Sequence, residues 1–342
     1  MEKYKKIITC AGYGATGSSV VTDLLKEFDN MKSMGSFEFS FPHEVDGLSD
    51  LQHYVVDDFH RLKIDEGIHR FKRMVKNMGG WYQPYFNGKF FTLTEAYIQE
   101  LIDVSWEGYW HQHAYRLSRL GRKLSYEYPS RFRASLHRFF GKKDDYEYIP
   151  YYKRSEMYFS FARERFFTCT RNYTEALFRE LDLENRFEHL VLDQLVPPSN
   201  TERYLQYFND VKIIVVDRDP RDLYLLNKLF WKEGWIPSEE IGLYIKWFRL
   251  MREHLKYEKD DPQKVLRINF EEFVYNYDAA VDRVKEFLNL SSDSHVNKFK
   301  HFNPDISIKN TRLWEKYQEH REDISLIEKE LPEFCYRFEK RD

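Results

Sequence analysis

The chain has 342 residues, enough to bury a sizeable core, and a formal net charge of −3 that gives no global pull toward nucleic acid. Three cysteines, Cys10, Cys169 and Cys335, are an odd number without metal-ligand spacing, which argues against a disulfide framework and suits a reducing compartment. The amino terminus lacks a long apolar leader and no later stretch reaches the ~18 apolar residues of a spanning helix; a cytoplasmic protein is expected, with one elaborated domain over 1–342.

The first element lies in "KKIITCAGYGATGSSVV", residues 5–21: an apolar strand, a glycine-rich turn and the first turn of a helix. The frame from Gly12 to Gly17 has the glycine spacing of a nucleotide-binding loop, but Ser18 and Ser19 stand where Lys and then Ser or Thr would follow. Gly12, Gly14 and Gly17 let backbone N–H groups turn toward one point, while Thr16, Ser18 and Ser19 add hydroxyls at a helix amino terminus. Such a cradle is suited to a phosphate-like anion without any lysine. A helix is predicted over 18–28, where Val20, Val21, Leu24, Leu25 and Phe28 form a stripe, and a short strand over "GSFEFSF" at 35–41.

From 45 to 186 the pattern is helical, charged and aromatic, and reads as a long insertion; aromatics reach 18% of the chain. Between Arg116 and Arg154 there are eleven Lys or Arg against four Asp or Glu, interleaved with Tyr and Phe. Aromatic faces stack on sugars and basic side chains attract anions, so this region is expected to bind an anionic glycan, or a lipid-linked one at the membrane surface. His111 and His113, two apart, have poor spacing for a helical metal site, and no metal is predicted.

The α/β pattern resumes with "HLVLDQLVPP" at 189–198, "VKIIVVDRDPRDLYLL" at 211–226 and "KVLRINFEEF" at 264–273, which feeds the amphipathic "DAAVDRVKEFLNL". Strands alternating with helices predict an α/β fold with a mostly parallel sheet, whose ligand sits at the carboxyl ends of the strands. Arg218 should emerge at such an end, placed to grip a phosphate, while Asp219, Arg221 and Asp222 read as a capping and ion-pair cluster.

Together "GYGATGSS", "IIVVDRDPRDLYL", "VLRINFEEFVYNYDAAVDRVKEFLNL" and "SIKNTRLWEKY" resemble, in order, the sulfotransferases that use 3′-phosphoadenosine 5′-phosphosulfate (PAPS), particularly the carbohydrate-modifying bacterial members. The resemblance implies a P-loop-like sheet and sulfuryl transfer from PAPS, without a metal, to a hydroxyl of a carbohydrate or glycolipid. It implies that Gly14, Ala15, Thr16, Gly17, Ser18 and Ser19 hold the 5′-phosphosulfate and that Arg218 binds the 3′-phosphate. Leu226 stands where a serine usually joins that arginine, with Asn227 beside it as a substitute donor. Lys309, Asn310, Thr311 and Arg312 resemble the late loop that closes over the phosphates. Glu38 resembles the base that takes the acceptor's proton, with His43 and Glu44 as rivals. Many members carry Lys or Arg where this chain has Ala15, so Lys309, Arg312 or Arg171 is expected to supply that charge. The competing readings are a P-loop kinase, which would need the missing lysine, and a non-catalytic glycan-binding protein on a transferase scaffold.

Overall fold

Apolar runs become the inner strands of one parallel sheet, and the more polar Met31–Glu38 segment becomes an edge strand. The computed structural model describes residues 4–139 and 154–338. In chain order it runs β1 (Lys6–Gly12), α1 (Ser19–Leu25), β2 (Met31–Glu38), α2 (Leu48–Gln52), α3 (Arg61–Tyr82), α4 (Phe90–Leu101), β3 (Val104–Gly108), α5 (Arg119–Arg122) and α6 (Tyr128–Phe139). It continues with β4 (Ser155–Phe159), α7 (Phe166–Leu181), β5 (His189–Asp193), α8 (Thr201–Leu205), β6 (Val211–Asp217) and α9 (Pro220–Leu226). The last elements are α10 (Ile241–Glu253), β7 (Val265–Asn269), α11 (Phe270–Tyr275), α12 (Tyr277–Leu288), α13 (Pro304–Ser307) and α14 (Arg321–Glu330). The main sheet has the order β2-β5-β1-β6-β7 and every pairing in it is parallel. All five strands therefore end on the same edge.

The period-2 alternation of a strand divides the core between the two faces. Ile7 and Ala11 of β1, with Leu190, Leu192 and Val215, pack toward α3, α4 and α7. Ile8 and Cys10, with Val191, Ile214 and Val216, pack toward α1, α11 and α12. Leu24 and Leu25 of α1 are fully buried there, each contributing roughly 1.5–3 kcal/mol of burial. A third cluster joins α9, α10 and α14.

Several boundaries differ from those read in the sequence, each for a tertiary reason. The first helix ends at Leu25 rather than 28 because the buried Glu27 is drawn into the 295–302 segment, where it accepts from the N–H groups of Phe299, His301 and Phe302 and from His295 Nε2 at 2.8–3.2 Å. The second strand is Met31–Glu38, set by pairing of Met31 to Ser33 with His189 to Val191. Phe39 and Phe41, which suggested its continuation, instead enter an aromatic core with Tyr82, Phe86 and Phe90. The strand read over 264–273 stops at Asn269, whose N–H is capped by the Glu272 carboxylate at 3.4 Å as α11 begins.

The stretch read as a helical insertion also contains strands: β3 and β4, far apart in sequence, pair antiparallel. Asp65 of α3 ties them down, accepting from His113 Nε2 at 2.6 Å and from the Tyr158 N–H at 2.9 Å. Asp65, His69 and His113 are the group among the described residues close enough to hold a metal, with ligand atoms within 4.8 Å of one another. The network already engages both ring nitrogens of His113, the second against Ser155 Oγ at 2.9 Å, and His69 Nε2 against the Glu156 carbonyl. His113 thus partners with Asp65 and His69; the side chain of His111 lies outside the described structure.

Candidate anion site at the carboxyl edge of the sheet

The turn after β1 lies between β5 and β6, at the centre of the carboxyl edge. Gly14 (φ 91°), Ala15 (φ 55°) and Gly17 (φ 86°) are left-handed, a run that turns successive N–H groups to one side, as in an anion-binding nest. The amides of Gly14, Ala15, Thr16, Gly17 and Ser18 donate to no acceptor among the described residues. Each glycine has a separate cause. A Cβ on Gly12 would lie 2.2 Å from Thr16 Oγ1, one on Gly14 would lie 1.9 Å from the Trp235 ring, and one on Gly17 would lie 2.8 Å from Phe270.

The hydroxyls divide. Thr16 is buried and donates to the Val216 carbonyl at 2.7 Å, fastening the turn to β6 rather than facing a ligand. Ser18 Oγ accepts from Gln194 Nε2 at 3.0 Å, and Ser18 and Ser19 both line a cavity of about 880 Å³.

On the β6 side of that cavity, Arg218 follows the strand and is 3% exposed. One Nη donates to the Asn310 carbonyl at 2.5 Å and the guanidinium lies 4.4 Å from the Phe270 ring centroid, while Nε has no partner among the described residues. Two carboxyls are buried beside it. Desolvation, reinforced by the nearby Asp219, pushes Asp222 up to about 7 and Glu271 up to about 8. Burial also works against the charged form of Arg218, but a guanidinium does not give up its proton in a protein, and its charge opposes the rise of both carboxyls. Asp222 accepts from the N–H groups of Arg312 and Leu313 at 3.0 and 2.8 Å, and so docks the 309–313 segment against α9. Asp219 caps α9 through the Arg221 N–H and pairs with the Arg221 guanidinium, as the sequence suggested.

On the β5–β2 side, Glu38 and Asp193 are paired in register, and both line the cavity with His43 and Gln194. Burial is the main reason that Asp193 is pushed up to about 6, with the charge of Glu38 adding to it; Cys10 Sγ donates to its carboxylate at 2.9 Å. His43 Nε2 lies 2.7 Å from the Gln194 carbonyl, which can only accept, so Nε2 carries the proton and Nδ1 the lone pair. Burial also lowers the pKa of His43, favouring the neutral ring. Glu38 is exposed at its strand end without a hydrogen-bond or ion-pair partner among the described residues.

The cavity thus gathers Gly14, Ala15, Gly17, Ser18, Ser19, Glu38, His43, Arg218 and Asn310. Other residues singled out in the sequence lie elsewhere. Asn227 is buried and clamps the 227–238 loop, donating to Ile236 O and Ser238 Oγ and accepting from the Glu233 N–H. Thr311 binds Tyr275 OH and the Ile308 carbonyl, and Arg312 pairs with Glu315. Glu44 is held by Ser40 Oγ at 2.5 Å, and Arg171 reaches the Gln206 carbonyl. Neither Lys309 nor Arg312 lines the cavity; among the described residues Arg218 is the Lys or Arg that does. Sequence reasoning missed Trp231, Trp235, Phe270, Asp193 and Gln194, which also line it. The two tryptophans were visible in "FWKEGWIP", but no spacing there marks them as facing a ligand.

No protein-family model and no curated protein matches the chain. Among solved structures it is similar to a sulfotransferase from Mycobacterium avium (TM-score 0.39, 11% identity, 99% of this chain and 79% of that one). It is also similar to the sulfotransferase domain of the olefin synthase of Synechococcus PCC 7002 (TM-score 0.37, 12% identity, 89% and 81%). A third such structure is retinol dehydratase in complex with androsterone and the inactive cofactor PAP (TM-score 0.37, 12% identity, 99% and 84%). At these scores the likeness carries no residue's role across.

Two predictions follow from the geometry. Ala15→Gly removes a left-handed Cβ and should leave stability unchanged or raise it by up to about 1 kcal/mol, whereas Gly17→Ala should cost roughly 1–2 kcal/mol or more. Urea titrations of both variants check this, and equal destabilisation would contradict the left-handed turn. The second concerns Glu271. Its folded-state carboxyl keeps a proton up to about pH 8 while an unfolded one releases it near 4.5. The folded state then binds more protons across that window, and stability falls as pH rises through it. Glu271→Gln should flatten that part of the stability–pH curve, and an unchanged slope would show that Glu271 does not titrate there.

Proposed function

We propose that this protein transfers a sulfuryl group from PAPS to a hydroxyl of a carbohydrate or glycolipid acceptor. The observation that carries the reading is one cavity joining an amide cradle to a buried arginine, the cradle amides and the arginine Nε having no partner among the described residues. Two anionic groups on one ligand would satisfy both, as PAPS carries a 5′-phosphosulfate and a 3′-phosphate. Bound there, PAPS supplies an activated sulfuryl group whose bridging oxygen gains negative charge as it leaves.

The residues divide the work by their place along the sheet edge. The cradle after β1 takes the 5′ end through backbone N–H groups, Ser18 and Ser19, and Arg218 after β6 takes the 3′-phosphate. Trp231 and Trp235, both partly exposed in the cavity, offer faces for the adenine. On the other side Glu38 accepts the proton of the acceptor hydroxyl. The unengaged carboxylate at the strand end supports that choice; the neutral ring and free lone pair at Nδ1 make His43 the second candidate. Positioning and electrostatics supply most of the rate in such a displacement, by analogy with phosphoryl transfer, with the base adding typically ~10²–10⁴-fold. Exposed basic and aromatic residues between Arg116 and Phe139 support an anionic carbohydrate or glycolipid as acceptor; positions 140–153 of that stretch lie outside the described residues.

A P-loop kinase is disfavoured because Ser18 occupies the lysine position and accepts a hydrogen bond from Gln194. Thermal shift distinguishes the two: adenosine 3′,5′-bisphosphate should stabilise the protein and ATP with magnesium should not, and the reverse would favour the kinase. Arg218→Lys keeps the charge but loses the planar fork. It should weaken the bisphosphate roughly 10- to 100-fold while leaving adenosine 5′-phosphosulfate nearly unaffected; equal losses would make Arg218 structural. With PAPS and extracted cell glycans, Glu38→Gln should lower turnover on the order of 10²-fold, about 2.7 kcal/mol, without loss of bisphosphate affinity. Near-normal turnover in that variant beside collapse in His43→Ala would move the base to the histidine.

A further inference from the structure

The helical run from Arg119 to Phe139 passes without a break from α5 through a π turn at Lys123–Glu127 into α6. Along it Leu120, Leu124, Tyr128, Phe132 and Leu136 recur every fourth residue, and Phe139 follows. In a pure α-helix a four-residue spacing drifts around the axis by about 40° per step; the wider π turn in the middle takes up part of that drift and keeps the series on one face. A stripe so placed belongs in a core. Instead Leu120 is 65% exposed, Leu124 58%, Phe132 68% and Phe139 84%.

The residues beside the stripe are basic. The run holds six Lys or Arg against a single Glu, Glu127, which faces Arg122 at 3.8 Å. Arg119, Lys123 and Arg131 each immediately precede a stripe residue or its neighbour on the helix, and Arg133 follows Phe132, about 100° around the axis. These four have no acidic partner among the described residues. An exposed apolar stripe is costly in water, and with a basic rim it is matched at an anionic lipid surface. There the apolar side chains enter the acyl boundary while the long basic side chains reach back to the headgroups.

We propose that the Arg119–Phe139 helix docks the protein on anionic membrane surfaces, lying in the interface without crossing the bilayer. The charge complementarity selects this occupant: a protein partner's apolar groove would not call for four cations beside the stripe that have no acidic partner among the described residues. The inference stands on the helix alone, independent of the transferase reading, although it would bring a lipid-linked acceptor within reach of the enzyme.

Co-sedimentation of the full chain with sucrose-loaded vesicles tests it. The protein should pellet with equimolar phosphatidylcholine and phosphatidylglycerol, should not pellet with phosphatidylcholine alone, and should be released by high salt. Arg131→Gln with Arg133→Gln should weaken partitioning at least roughly tenfold. Phe132→Asp with Leu136→Asp should abolish it, with near-ultraviolet circular dichroism unchanged because both positions are exposed. Absence of binding to the anionic vesicles at low salt would overturn the proposal. Undiminished binding by the Phe132→Asp, Leu136→Asp variant would overturn it too, as would self-association through this face in sedimentation velocity without vesicle binding.

Discussion

The burial of Arg218 is the constraint from which much of the site follows. A guanidinium removed from water costs several kcal/mol unless its surroundings compensate, and it cannot shed the charge as a carboxyl can. The chain surrounds it with groups drawn from three segments: Asp222 on α9, Glu271 and the Phe270 face on α11, and the Asn310 carbonyl of the late segment. Each of these contacts also fixes an element. The Asn310 contact and the amides held by Asp222 bring residues 309–313 to the cavity rim, while Phe270 fills the space that a side chain at position 17 would need.

The parallel sheet supplies the other half of the arrangement. Since β1 is central and its neighbours are β5 and β6, the turn after it is flanked by Asp193 on one side and Arg218 on the other. The cavity consequently has a carboxylate and imidazole end over β5 and β2 and a guanidinium and aromatic end over β6. The proposed function rests on this polarity, with the anionic ligand at one end and the base at the other. Ala15 belongs to the same logic. Its backbone is left-handed although it is not a glycine, and such a strained residue persists where the surrounding structure over-determines it.

The aromatic richness of the chain turns out to have two fates. Phe39, Phe41, Tyr82, Phe86, Phe90, Tyr97 and Tyr173 form stacked and edge-on pairs that fill the space between β2 and α3, α4 and α7. Others, such as Trp106, Tyr115 and Phe132, stay on the surface. Composition could not separate the two groups, because a helical aromatic stripe looks the same whether or not another element covers it.

Local signals in the sequence indicated the strands of the main sheet, though not all their bounds, the glycine turn and the emergence of Arg218: a short β-branched run such as "VKIIVVD" favours a buried strand, and three glycines in six residues favour a tight turn. They also marked Glu38 and His43 as lying after that turn. Tertiary structure alone decided which of the marked residues meet. Thr16 turned to the Val216 carbonyl and Asn227 to its own loop, while Asp193, Gln194, Trp231 and Trp235 entered the cavity with no motif to announce them. Spacing along the chain reports neighbours on one element, whereas strand order, the β3–β4 pairing and the early end of α1 at Leu25, before Glu27, arise from contacts between segments tens to hundreds of residues apart, which no local period encodes.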